Sequence, residues 1–381
     1  MLADMRIAVL GAGMMGAATA RLLSRRPDVE LLILDSDGGR AERVAAEGGG
    51  LSATVGIGDP GLADALAAAD AVAACIPYRL NLDAMEAALS AKVPYADLGG
   101  LFHVTLRQLE LDSRFLEAGV PAVIGIGCCP GISNLLAWVA ADRLDEVRSI
   151  DIVDGAIEAG GEFSIPYSAD TILDEFTHPA MVYEGGELKE VPAGSGAIRY
   201  LFPEPLGEME AFYTLHSEPA TLPDTIDRVQ DVRWRLALPP KVAEGFRVLV
   251  GLGLASEEPV DTPSGRAVPR EVLRALIARL PAREGPPRDA EVLDLAASGM
   301  LDGRPARFLG RARFAPTREG IGAGAFGTSI PIAVAARWLA DGRVAPGVHP
   351  PEHAFDAERF LQDVAAEGVD LEMTVETAGG A

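Results

Sequence analysis

Three glycines near the start of the chain have the spacing of a phosphate-binding loop. Residues 6–10, RIAVL, are typical of a buried strand, and Gly11, Gly13 and Gly16 follow them at once in the pattern G-x-G-x-x-G. In this pattern the first glycine makes a tight turn, the second lets a pyrophosphate approach the backbone, and the third lets the next helix pack closely. The free N–H groups that begin that helix favour an anion. The spacing therefore predicts that a dinucleotide binds here.

An acidic residue follows the next predicted strand. Residues 30–35, ELLILD, end in Asp35, roughly 20 residues after the glycines, where a carboxylate accepts hydrogen bonds from the ribose of an adenosine. The same carboxylate would repel a 2′-phosphate. We therefore expect NAD as the cofactor, while Arg40 nearby leaves NADP open.

Two adjacent cysteines, Cys128 and Cys129, precede a proline and a glycine in GIGCCPGISN, residues 125–134. Thiols at such a place could act as nucleophile, metal ligands, disulfide partners, or small residues in a tight passage. Adjacent cysteines form a disulfide only through a strained ring. The chain has three cysteines and no C-x-x-C pair, so the cysteine spacing predicts no tetrahedral zinc site. No histidine or cation adjoins the thiols in sequence, which disfavours a covalent cysteine.

The elements around these residues alternate between strands and helices. A helix-like stretch separates each further predicted strand from the next: 51–56, 68–77, 93–99 and 120–127. This alternation is typical of a doubly wound parallel sheet, a Rossmann domain, in which ligands lie across the carboxyl ends of the strands. Three segments should therefore line the cofactor: 77–78, 97–100 and 127–131.

The middle of the chain has a different pattern. Segments with strand character follow one another from about residue 145: 147–155, 180–191, 207–216, 227–238 and 305–315. Glu184-Gly185-Gly186 and Asp302-Gly303 lie where hairpin turns are expected, and 268–281 has apolar residues at helical spacing. The predicted fold class is α/β, with a Rossmann doubly wound parallel sheet plus an α+β domain that has a mostly antiparallel sheet.

A long helix is predicted near the end of the chain. Thr328 and Ser329 precede Pro331, and Gly342 closes the run, as expected for a capped helix. Its nearly all-round apolarity implies burial against the first domain. The chain is therefore expected to consist of three parts: a Rossmann domain at 1–127, an α+β domain at 128–320, and a helical segment at 321–381 that packs back on the first domain.

Composition excludes some classes of partner. With 33 basic and 56 acidic residues the formal net charge is −23, which repels nucleic-acid phosphates and anionic lipid surfaces. No window approaches the length of apolar run that a membrane span needs, and no signal-peptide pattern is present. We therefore expect a cytoplasmic protein that binds a small molecule and neither nucleic acid nor membrane.

Several motifs, taken in order, resemble the saccharopine dehydrogenase-like family, and within it most closely the lysine 6-dehydrogenases. The likeness covers most of the chain. Besides the Rossmann start it rests on YADLGG (95–100), GIGCCPGISNLLA (125–137), LDEV (144–147), ILDEFTHPAMVYEGGELKEVPA (172–193), EAFYTLHSEPATLP (210–223) and GVHPPE (347–352). The resemblance implies an NAD(P)-linked dehydrogenase that acts on the carbon–nitrogen bond of an amine or amino acid. It also implies that the second domain binds the substrate and forms the contact of a homodimer.

The family's site residues can be carried over by position. Its cofactor contacts fall on Gly11, Gly13, Met14, Met15, Gly16, Asp35, Pro77, Gly127 and Cys128. Its substrate and catalytic residues fall on Tyr78, Cys129, Phe163, Tyr167, His216, Ser217 and Arg233. In this arrangement the backbone of Cys128 faces the cofactor, and the small side chain of Cys129 forms part of the wall of the substrate pocket.

Among these residues His216 is the strongest acid/base candidate, with Tyr167 and Tyr78 as further catalytic candidates. His216 ends a predicted strand, and an unperturbed histidine titrates near neutral pH. His103, just after DLGG, could serve the same role, whereas His178 beside a proline fits a turn.

One departure from the resemblance leaves the substrate open. Lysine 6-dehydrogenases commonly have Gly-His after an arginine-aromatic stretch, whereas here Leu-Ala-Leu at 236–238 stands in that place. A saccharopine-type reductase, which joins an amine and an aldehyde through an imine, remains an alternative, as does an NAD-sensing module without turnover. The reductase would need several cationic contacts, for which the middle of the chain offers Arg199, Arg228, Arg233, Arg235, Lys241 and Arg247.

Overall fold

The computed structural model describes residues 5–158, 167–280 and 285–377. Within these ranges the chain forms a seven-stranded sheet, a nine-stranded sheet and a separate two-stranded hairpin. The nine-stranded sheet is mostly antiparallel, and the seven-stranded sheet is wholly parallel. The predicted fold class is confirmed.

The first sheet follows the predicted alternation of strands and helices. Its strands are β1 (Met5–Leu10), β2 (Val29–Asp35), β3 (Leu51–Thr54), β4 (Ala71–Ala74), β5 (Tyr95–Asp97), β6 (Pro121–Val123) and, from late in the chain, β17 (Gly347–His349). Its helices are α1 (Met14–Leu23), α2 (Gly38–Gly48), α3 (Leu62–Leu66), α4 (Asn81–Ala91), α5 (Leu101–Leu109), α6 (Asp112–Ala118) and a 3-10 helix at Tyr78–Leu80. The spatial order is β17-β6-β5-β4-β1-β2-β3. From β1 the chain adds strands β2 and β3 on one side and β4 to β6 on the other. The strand order therefore reverses between β1 and β4, where a crevice for a ligand opens.

The second sheet contains the long strands of the molecule. Its strands are β7 (Glu146–Glu158), β8 (Ala180–Glu184), β9 (Glu187–Val191), β10 (Ile198–Leu201), β11 (Glu208–Phe212), β12 (Asp231–Ala237), β15 (Asp289–Leu301), β16 (Arg304–Phe314) and β18 (Asp370–Thr377). The hairpin is β13 (Val260–Thr262) and β14 (Gly265–Ala267). The spatial order is β10-β11-β12-β7-β15-β16-β18, with β8 on β12 and β9 on β8. Only β12 and β7 are parallel neighbours within the described part of this sheet.

Helices fill the space beside and between the sheets. They are α7 (Ile132–Arg143), α8 (Ala169–Thr177), α9 (Glu218–Thr225), α10 (Pro240–Gly251), α11 (Pro269–Ile277), α12 (Ala323–Ala340), α13 (Pro351–Ala354) and α14 (Ala357–Ala366). The buried helix α12 packs on α1 and on β15, so one apolar core includes Val9 of the first sheet and Leu295 of the second. Within the described ranges, no helix combines the length and apolar character that crossing a bilayer requires.

Two predictions about the end of the chain need correction. The long helix does not begin at Thr328 or Ser329: α12 begins at Ala323 and includes Pro331. The segment 321–381 is not wholly helical, since β17 joins the first sheet and β18 joins the second. The helix α12 tolerates Pro331 because most of its residues are buried. The free energy gained by this burial outweighs the cost of a proline inside a helix, about 3 kcal/mol.

Candidate active site

The glycine loop lies where the order of the first sheet reverses. Gly11 has a φ of +96°, and a Cβ there would lie 2.6 Å from the Cys75 carbonyl oxygen. A Cβ on Gly16 would lie 1.8 Å from the Gly11 carbonyl oxygen, whereas a Cβ on Gly13 would meet no atom within 4 Å. Packing therefore requires the outer two glycines, and the middle one leaves open space. That space is where a pyrophosphate approaches such a loop, so the residues present fit a dinucleotide.

Asp35 lies at the end of β2 beside this loop. Its Oδ2 accepts a hydrogen bond from the Ala12 N–H at 2.7 Å, and its Oδ1 accepts one from the Asp37 N–H at 2.8 Å. A carboxylate has further lone pairs, so both oxygens can still accept from ribose hydroxyls. An Arg40 guanidinium nitrogen lies 3.7 Å from Oδ1, which places one cation at the same spot.

A cleft of about 760 Å³ runs between the glycine loop and the second sheet. Its described lining includes ten of the residues carried over from sequence: Gly13, Met14, Met15, Pro77, Tyr78, Cys128, Cys129, Tyr167, His216 and Ser217. Four others lie behind the lining and shape the loops: Gly11, Gly16, Asp35 and Gly127. Phe163 lies outside the described residues.

Arg233 does not reach the cleft, so the structure does not place it where a substrate contact needs it. Successive side chains of a strand point to opposite faces, and Trp234 is the residue of this part of β12 that lines the cleft. On the other face the Arg233 Nε donates to Glu184 at 2.8 Å, and Nη2 lies 3.0 Å from Asp231. These carboxylates hold the Arg233 guanidinium away from the cleft.

His216 is fixed on the second-sheet wall of the cleft. Its ring stacks on Trp234 with centroids 3.9 Å apart and planes 18° apart, and the Trp234 Nε1–H donates to Thr214 at 3.0 Å. The His216 Nδ1 pairs with the carboxylate of Glu218, so Nε2 is the nitrogen available to a ligand. Burial opposes protonation of the ring, but the carboxylates of Glu218 and Glu175 outweigh it and raise the pKa of His216.

A buried chain of hydrogen bonds supports Glu218 from behind. The Ser133 hydroxyl donates to Glu218 Oε1 at 2.7 Å and also contacts the side-chain oxygen of Asn134 at 3.3 Å. The Asn134 amide then donates to Glu352 at 3.0 Å. Three motifs that are far apart in sequence therefore meet behind His216.

Tyr167 and Glu175 form a second polar pair in the cleft. The Tyr167 hydroxyl donates to the Glu175 carboxylate. Burial raises the pKa of Glu175 to about 7, although His216 and Tyr167 oppose the shift. Burial and Glu175 raise the pKa of Tyr167, so the Tyr167 hydroxyl is a donor at neutral pH while Glu175 titrates there.

Tyr78 lines the cleft with its ring, but its hydroxyl is engaged elsewhere. It donates to Asp174 of α8 at 2.6 Å. Burial and the Asp174 carboxylate raise the pKa of Tyr78 to about 12. Proton transfer by Tyr78 would require this hydrogen bond to break, so the geometry favours an anchoring role.

The other two histidines considered as site residues lie outside the cleft. His103 is exposed on α5 and packs edge-on against Phe102. His178 is also exposed, with its Nε2 3.5 Å from Asp174. Neither histidine is among the described lining residues.

Four acidic side chains lie in the described lining of the cleft: Asp154, Glu175, Asp289 and Glu291. Burial and the neighbouring carboxylates raise the pKa of Asp154, and burial raises the pKa of Glu291 to about 7, so a bound cation would favour their charged forms. Arg21 is the one arginine or lysine among the described lining residues. The Oδ1 of Asp154, the Oδ1 of Asp289 and the Oγ of Ser217 are buried without a hydrogen-bond partner. Burial of unpaired polar atoms is costly, so a cationic ligand with N–H donors would complement this wall.

The adjacent cysteines face this acidic wall. Their sulfurs lie 3.8 Å apart, and both line the cleft near Asp154. Burial raises the pKa of both thiols, so neither is a ready thiolate nucleophile.

Sequence reasoning missed the acidic residues of the site. Asp154, Glu175 and Glu291 lie on β7, α8 and β15, and no spacing in the chain connects them. Glu218 could have been found, since it follows His216 by two residues in LHSE.

Two sequence families match the chain. The saccharopine dehydrogenase NADP binding domain matches residues 7–123, and the saccharopine dehydrogenase C-terminal domain matches residues 127–369.

Curated relatives share part of the sequence. Carboxynorspermidine synthase of Vibrio alginolyticus is 27% identical over 214 residues, which are 53% of this chain and 51% of that protein. Carboxyaminopropylagmatine dehydrogenase of Synechocystis sp. is 23% identical over 297 residues, which are 71% of this chain and 72% of that protein. The match to the Vibrio relative thus spans about half of its length.

A solved structure shares the fold. Apo saccharopine dehydrogenase (L-Glu forming) from Saccharomyces cerevisiae superposes with a TM-score of 0.77 at 18% identity, covering 98% of this chain and 100% of that one. The first domain of the present chain is thus an NAD(P)-binding domain. Because the two family matches together extend from residue 7 to residue 369, the chain belongs to the saccharopine dehydrogenase family.

Proposed function

We propose that the chain is an NAD(P)-dependent oxidoreductase that acts on the carbon–nitrogen bond of a positively charged amine or amino acid. The acidic cleft beside the glycine loop is the observation that carries the proposal. A bound nicotinamide supplies the hydride acceptor or donor for such a reaction. The protein must then bind the cation, orient the reacting carbon and manage protons.

The acidic wall provides the binding part of this function. The free Oδ1 of Asp154 and the nearby Glu291 carboxylate face the cleft, and they can accept hydrogen bonds from a substrate ammonium group. Hydrogen bonds to a charged group contribute about 1.5–3 kcal/mol each. The substrate is thereby held with its cationic end on the second sheet and its reacting carbon toward the first.

His216 provides the proton-transfer part. An amine must lose a proton before hydride leaves the adjacent carbon, and Nε2 of His216 is the ring nitrogen that can accept it. Glu218 on Nδ1 stabilises the imidazolium that results, and the stack on Trp234 fixes the ring. In the reverse direction the same imidazolium returns the proton.

Two substrate types remain as finer candidates. One is the side-chain amine of lysine, oxidatively deaminated as the sequence resemblance implies. The other is an N-substituted amine, formed or cleaved through an imine. The names of the two curated relatives, carboxynorspermidine synthase and carboxyaminopropylagmatine dehydrogenase, denote carboxylated derivatives of amines and support the second candidate.

A saccharopine-like substrate with several carboxylates fits the cleft less well. None of the basic residues considered for it lies in the described lining: Arg199, Arg228, Arg233, Arg235, Lys241 and Arg247. An acidic wall would repel such a substrate, whereas it attracts one with more amines than carboxylates.

NAD is the proposed cofactor, because the Asp35 carboxylate would repel the 2′-phosphate of NADP. We expect NAD⁺ to raise the melting temperature of the protein more than NADP⁺ does, and Asp35→Asn to narrow the difference. Equal shifts from the two cofactors would show that Asp35 does not select the ribose.

The activity is tested by following the absorbance of reduced nicotinamide in both directions. In one direction the protein is incubated with NAD⁺ or NADP⁺ and lysine, ornithine, diamines or polyamines. In the other it is incubated with NADH or NADPH and an amine plus an amino-acid aldehyde. We expect turnover in at least one panel, with Asp154→Asn raising KM about 10- to 100-fold. Cofactor binding without turnover in either panel would instead support the NAD-sensing module.

A further inference from the structure

Two sulfurs and one carboxylate converge at the base of the cleft. The Sγ atoms of Cys128 and Cys129 are 3.8 Å apart. One ligand atom from each thiol and one from Asp154 all lie within 4.8 Å of one another. The ligand spacing of the sequence could not show this cluster, because Asp154 comes from a different strand, β7.

The separation of the sulfurs matches the edge of a tetrahedral zinc site. A Zn–S bond of about 2.3 Å and a tetrahedral angle give a sulfur–sulfur distance of about 3.8 Å. A Zn–O bond of about 2.0–2.2 Å requires the carboxylate oxygen about 3.6 Å from each sulfur. The Asp154 oxygen lies within 4.8 Å of each sulfur, so it has to move by about 2 Å at most, which is within reach of a side-chain rotation.

The loop that holds the thiols is fixed by its own backbone. The Gly127 N–H donates to the Pro130 carbonyl at 2.8 Å, and the Ser133 N–H donates to the Cys128 carbonyl at 3.1 Å. The loop therefore presents both thiols to the cleft in a set orientation.

An independent observation at Asp154 points to a ligand. Its side chain lines the cleft, the residue is 9% exposed, and its Oδ1 has no hydrogen-bond partner. A buried carboxylate oxygen without a donor is complemented by a cation, and a pair of sulfurs beside it selects a thiophilic cation over Mg²⁺ or Ca²⁺.

We propose that Cys128, Cys129 and Asp154 form a binding site for a thiophilic divalent cation such as Zn²⁺. Binding releases the two thiol protons, and the proton of the Asp154 carboxyl where it carries one, to solvent, so that two thiolates and one carboxylate hold the ion. The fourth coordination position faces the cleft and takes water, as in zinc sites with three protein ligands.

The site has a consequence for substrate binding. The Asp154 carboxylate that would bind the ion is the group to which the proposed function assigns a substrate ammonium group. Two cations at one carboxylate repel each other. Zn²⁺ therefore inhibits amine turnover competitively. Ion binding itself rests on the geometry of the three side chains and does not depend on the proposed function.

The binding test uses the full chain, reduced with a phosphine and freed of metal. Co²⁺ is added as a spectroscopic probe, because thiolate ligands produce an intense charge-transfer band, and Zn²⁺ is then titrated against it. We expect one ion per chain, and at least a tenfold loss of affinity in Cys128→Ser, Cys129→Ser and Asp154→Asn. Cys75→Ser is the matched control, since Cys75 lines the same cleft but lies outside the cluster.

The outcomes separate the possibilities. Unchanged affinity in the cysteine and aspartate variants, or an equal loss in Cys75→Ser, would overturn the site. If a serine variant does not fold by circular dichroism, the alanine variant at the same position replaces it. Where turnover is found, the rate of each variant with Zn²⁺ is compared with the rate of the same variant without metal. If excess amine does not relieve the inhibition, Zn²⁺ and the amine do not compete for the cleft. Absence of turnover would count against the proposed function and leave the cobalt titration to decide the site.

Discussion

His216 is surrounded by groups that fix both its position and its charge. Trp234 supports the face of the ring, and Glu218 binds Nδ1. Ser133 and Glu352 lie in other sequence motifs and complete the support through the buried hydrogen-bond chain. His216 lines the cleft, and its Nδ1 is already paired with Glu218, so this arrangement favours proton transfer at Nε2.

Replacing His216 should affect turnover far more than cofactor binding. We expect His216→Ala to lower kcat about 10²- to 10⁴-fold, the usual contribution of a general acid or base. The Kd for NAD⁺ should change less than about threefold, because the glycine loop is on the other wall. Steady-state kinetics and fluorescence titration of the cofactor measure the two quantities.

The control for this variant is His103→Ala, which removes an exposed histidine outside the cleft. It should behave like the unmodified protein. Unchanged turnover in His216→Ala, or an equal loss in His103→Ala, would remove His216 from the chemistry.

The charge on Glu218 should set the pH dependence of the reaction. The carboxylates of Glu218 and Glu175 raise the pKa of His216 against the opposing effect of burial. In Glu218→Gln the pKa of His216 should therefore fall. Amine oxidation needs the neutral ring, so activity rises with pH through this pKa, and the rise should occur at lower pH in the variant.

The pH–rate profiles are best compared in a Glu175→Gln background, because Glu175, with a pKa of about 7, titrates in the same range. Glu210→Gln is the matched control, since Glu210 is exposed and pairs with Arg247. An unshifted profile in Glu218→Gln would show that Glu218 acts only on packing.

At the scale of helices and strands, local sequence determines much of the first sheet and less of the second. The strands β1, β2 and β4 were predictable because each is a short apolar run followed by a turn signal, and the regular alternation with helices indicated β3, β5 and β6. The strand β15 was not, because Val292, Leu293 and Leu295 are all buried, so the run has apolar residues on both faces and no alternation. Only the pairing of β15 with β7 and β16 shows that this run is a strand. By contrast β18, DLEMTVET, alternates cleanly and could have been found.

The candidate site likewise has one part that was predictable from sequence and one part that was not. The glycine loop is one continuous stretch with a known spacing, and sequence predicted it. The acidic wall is assembled from residues more than a hundred positions apart, such as Asp154 and Glu291, and only the pairing of β7 with β15 brings them together.

The middle and last glycines of the loop should respond differently to an added methyl group. A Cβ on Gly13 meets nothing in the free protein, but it occupies space that a pyrophosphate needs. A Cβ on Gly16 would lie 1.8 Å from the Gly11 carbonyl oxygen. We expect Gly13→Ala to keep the melting temperature of the cofactor-free protein while weakening NAD⁺ binding at least tenfold. Gly16→Ala should lower both.

Differential scanning fluorimetry with and without NAD⁺ makes this comparison. Gly61→Ala is the control, because its Cβ also meets no atom within 4 Å and Gly61 is not in the described lining of the cleft. A lowered melting temperature in cofactor-free Gly13→Ala would mean that the middle glycine serves folding rather than the ligand.

At the scale of the whole molecule, the homodimer expected from the sequence resemblance remains a prediction. The helices α10 and α11, with the residue that follows α10, expose several large apolar side chains: Val248, Leu252, Val272 and Leu276. Exposed apolar surface of this kind often marks an interface. Light scattering after size exclusion should give about twice the chain mass of 39.9 kDa, and a mass of one chain would contradict the dimer.

A buried carboxylate connects the two halves of the molecule beside the cleft. Asp174 of α8 has a fully buried side chain. It accepts hydrogen bonds from Tyr78 at 2.6 Å, from Arg79 at 2.9 Å and from Arg270 at 2.6 Å. The first two donors follow β4 in the first sheet, and the third begins α11. Because Glu175 is the next residue of α8, the same anchor sets the position of a cleft carboxylate.

Removing this anchor should destabilise the protein by about 3 kcal/mol, since Arg270, itself 6% exposed, would lose its closest counter-charge. Glu257→Ala is the matched control. Glu257 pairs with Arg79 and Arg270, but its side chain is 59% exposed, and we expect a loss below about 1 kcal/mol. Urea unfolding of Asp174→Ala and Glu257→Ala measures the difference.

The contribution of Asp174 to the free energy of unfolding should depend on pH in a definite direction. Burial disfavours the Asp174 carboxylate, but Arg270, Tyr78 and Arg79 outweigh burial and lower its pKa. A group whose pKa is lowered by folding contributes stability above its unfolded pKa and loses it as the pH falls through the folded value. The gap between the unmodified protein and Asp174→Asn should therefore be full at neutral pH and close in acid. A gap that does not change with pH, or equal losses in Asp174→Ala and Glu257→Ala, would show that α8 is held by apolar packing and not by its buried carboxylate.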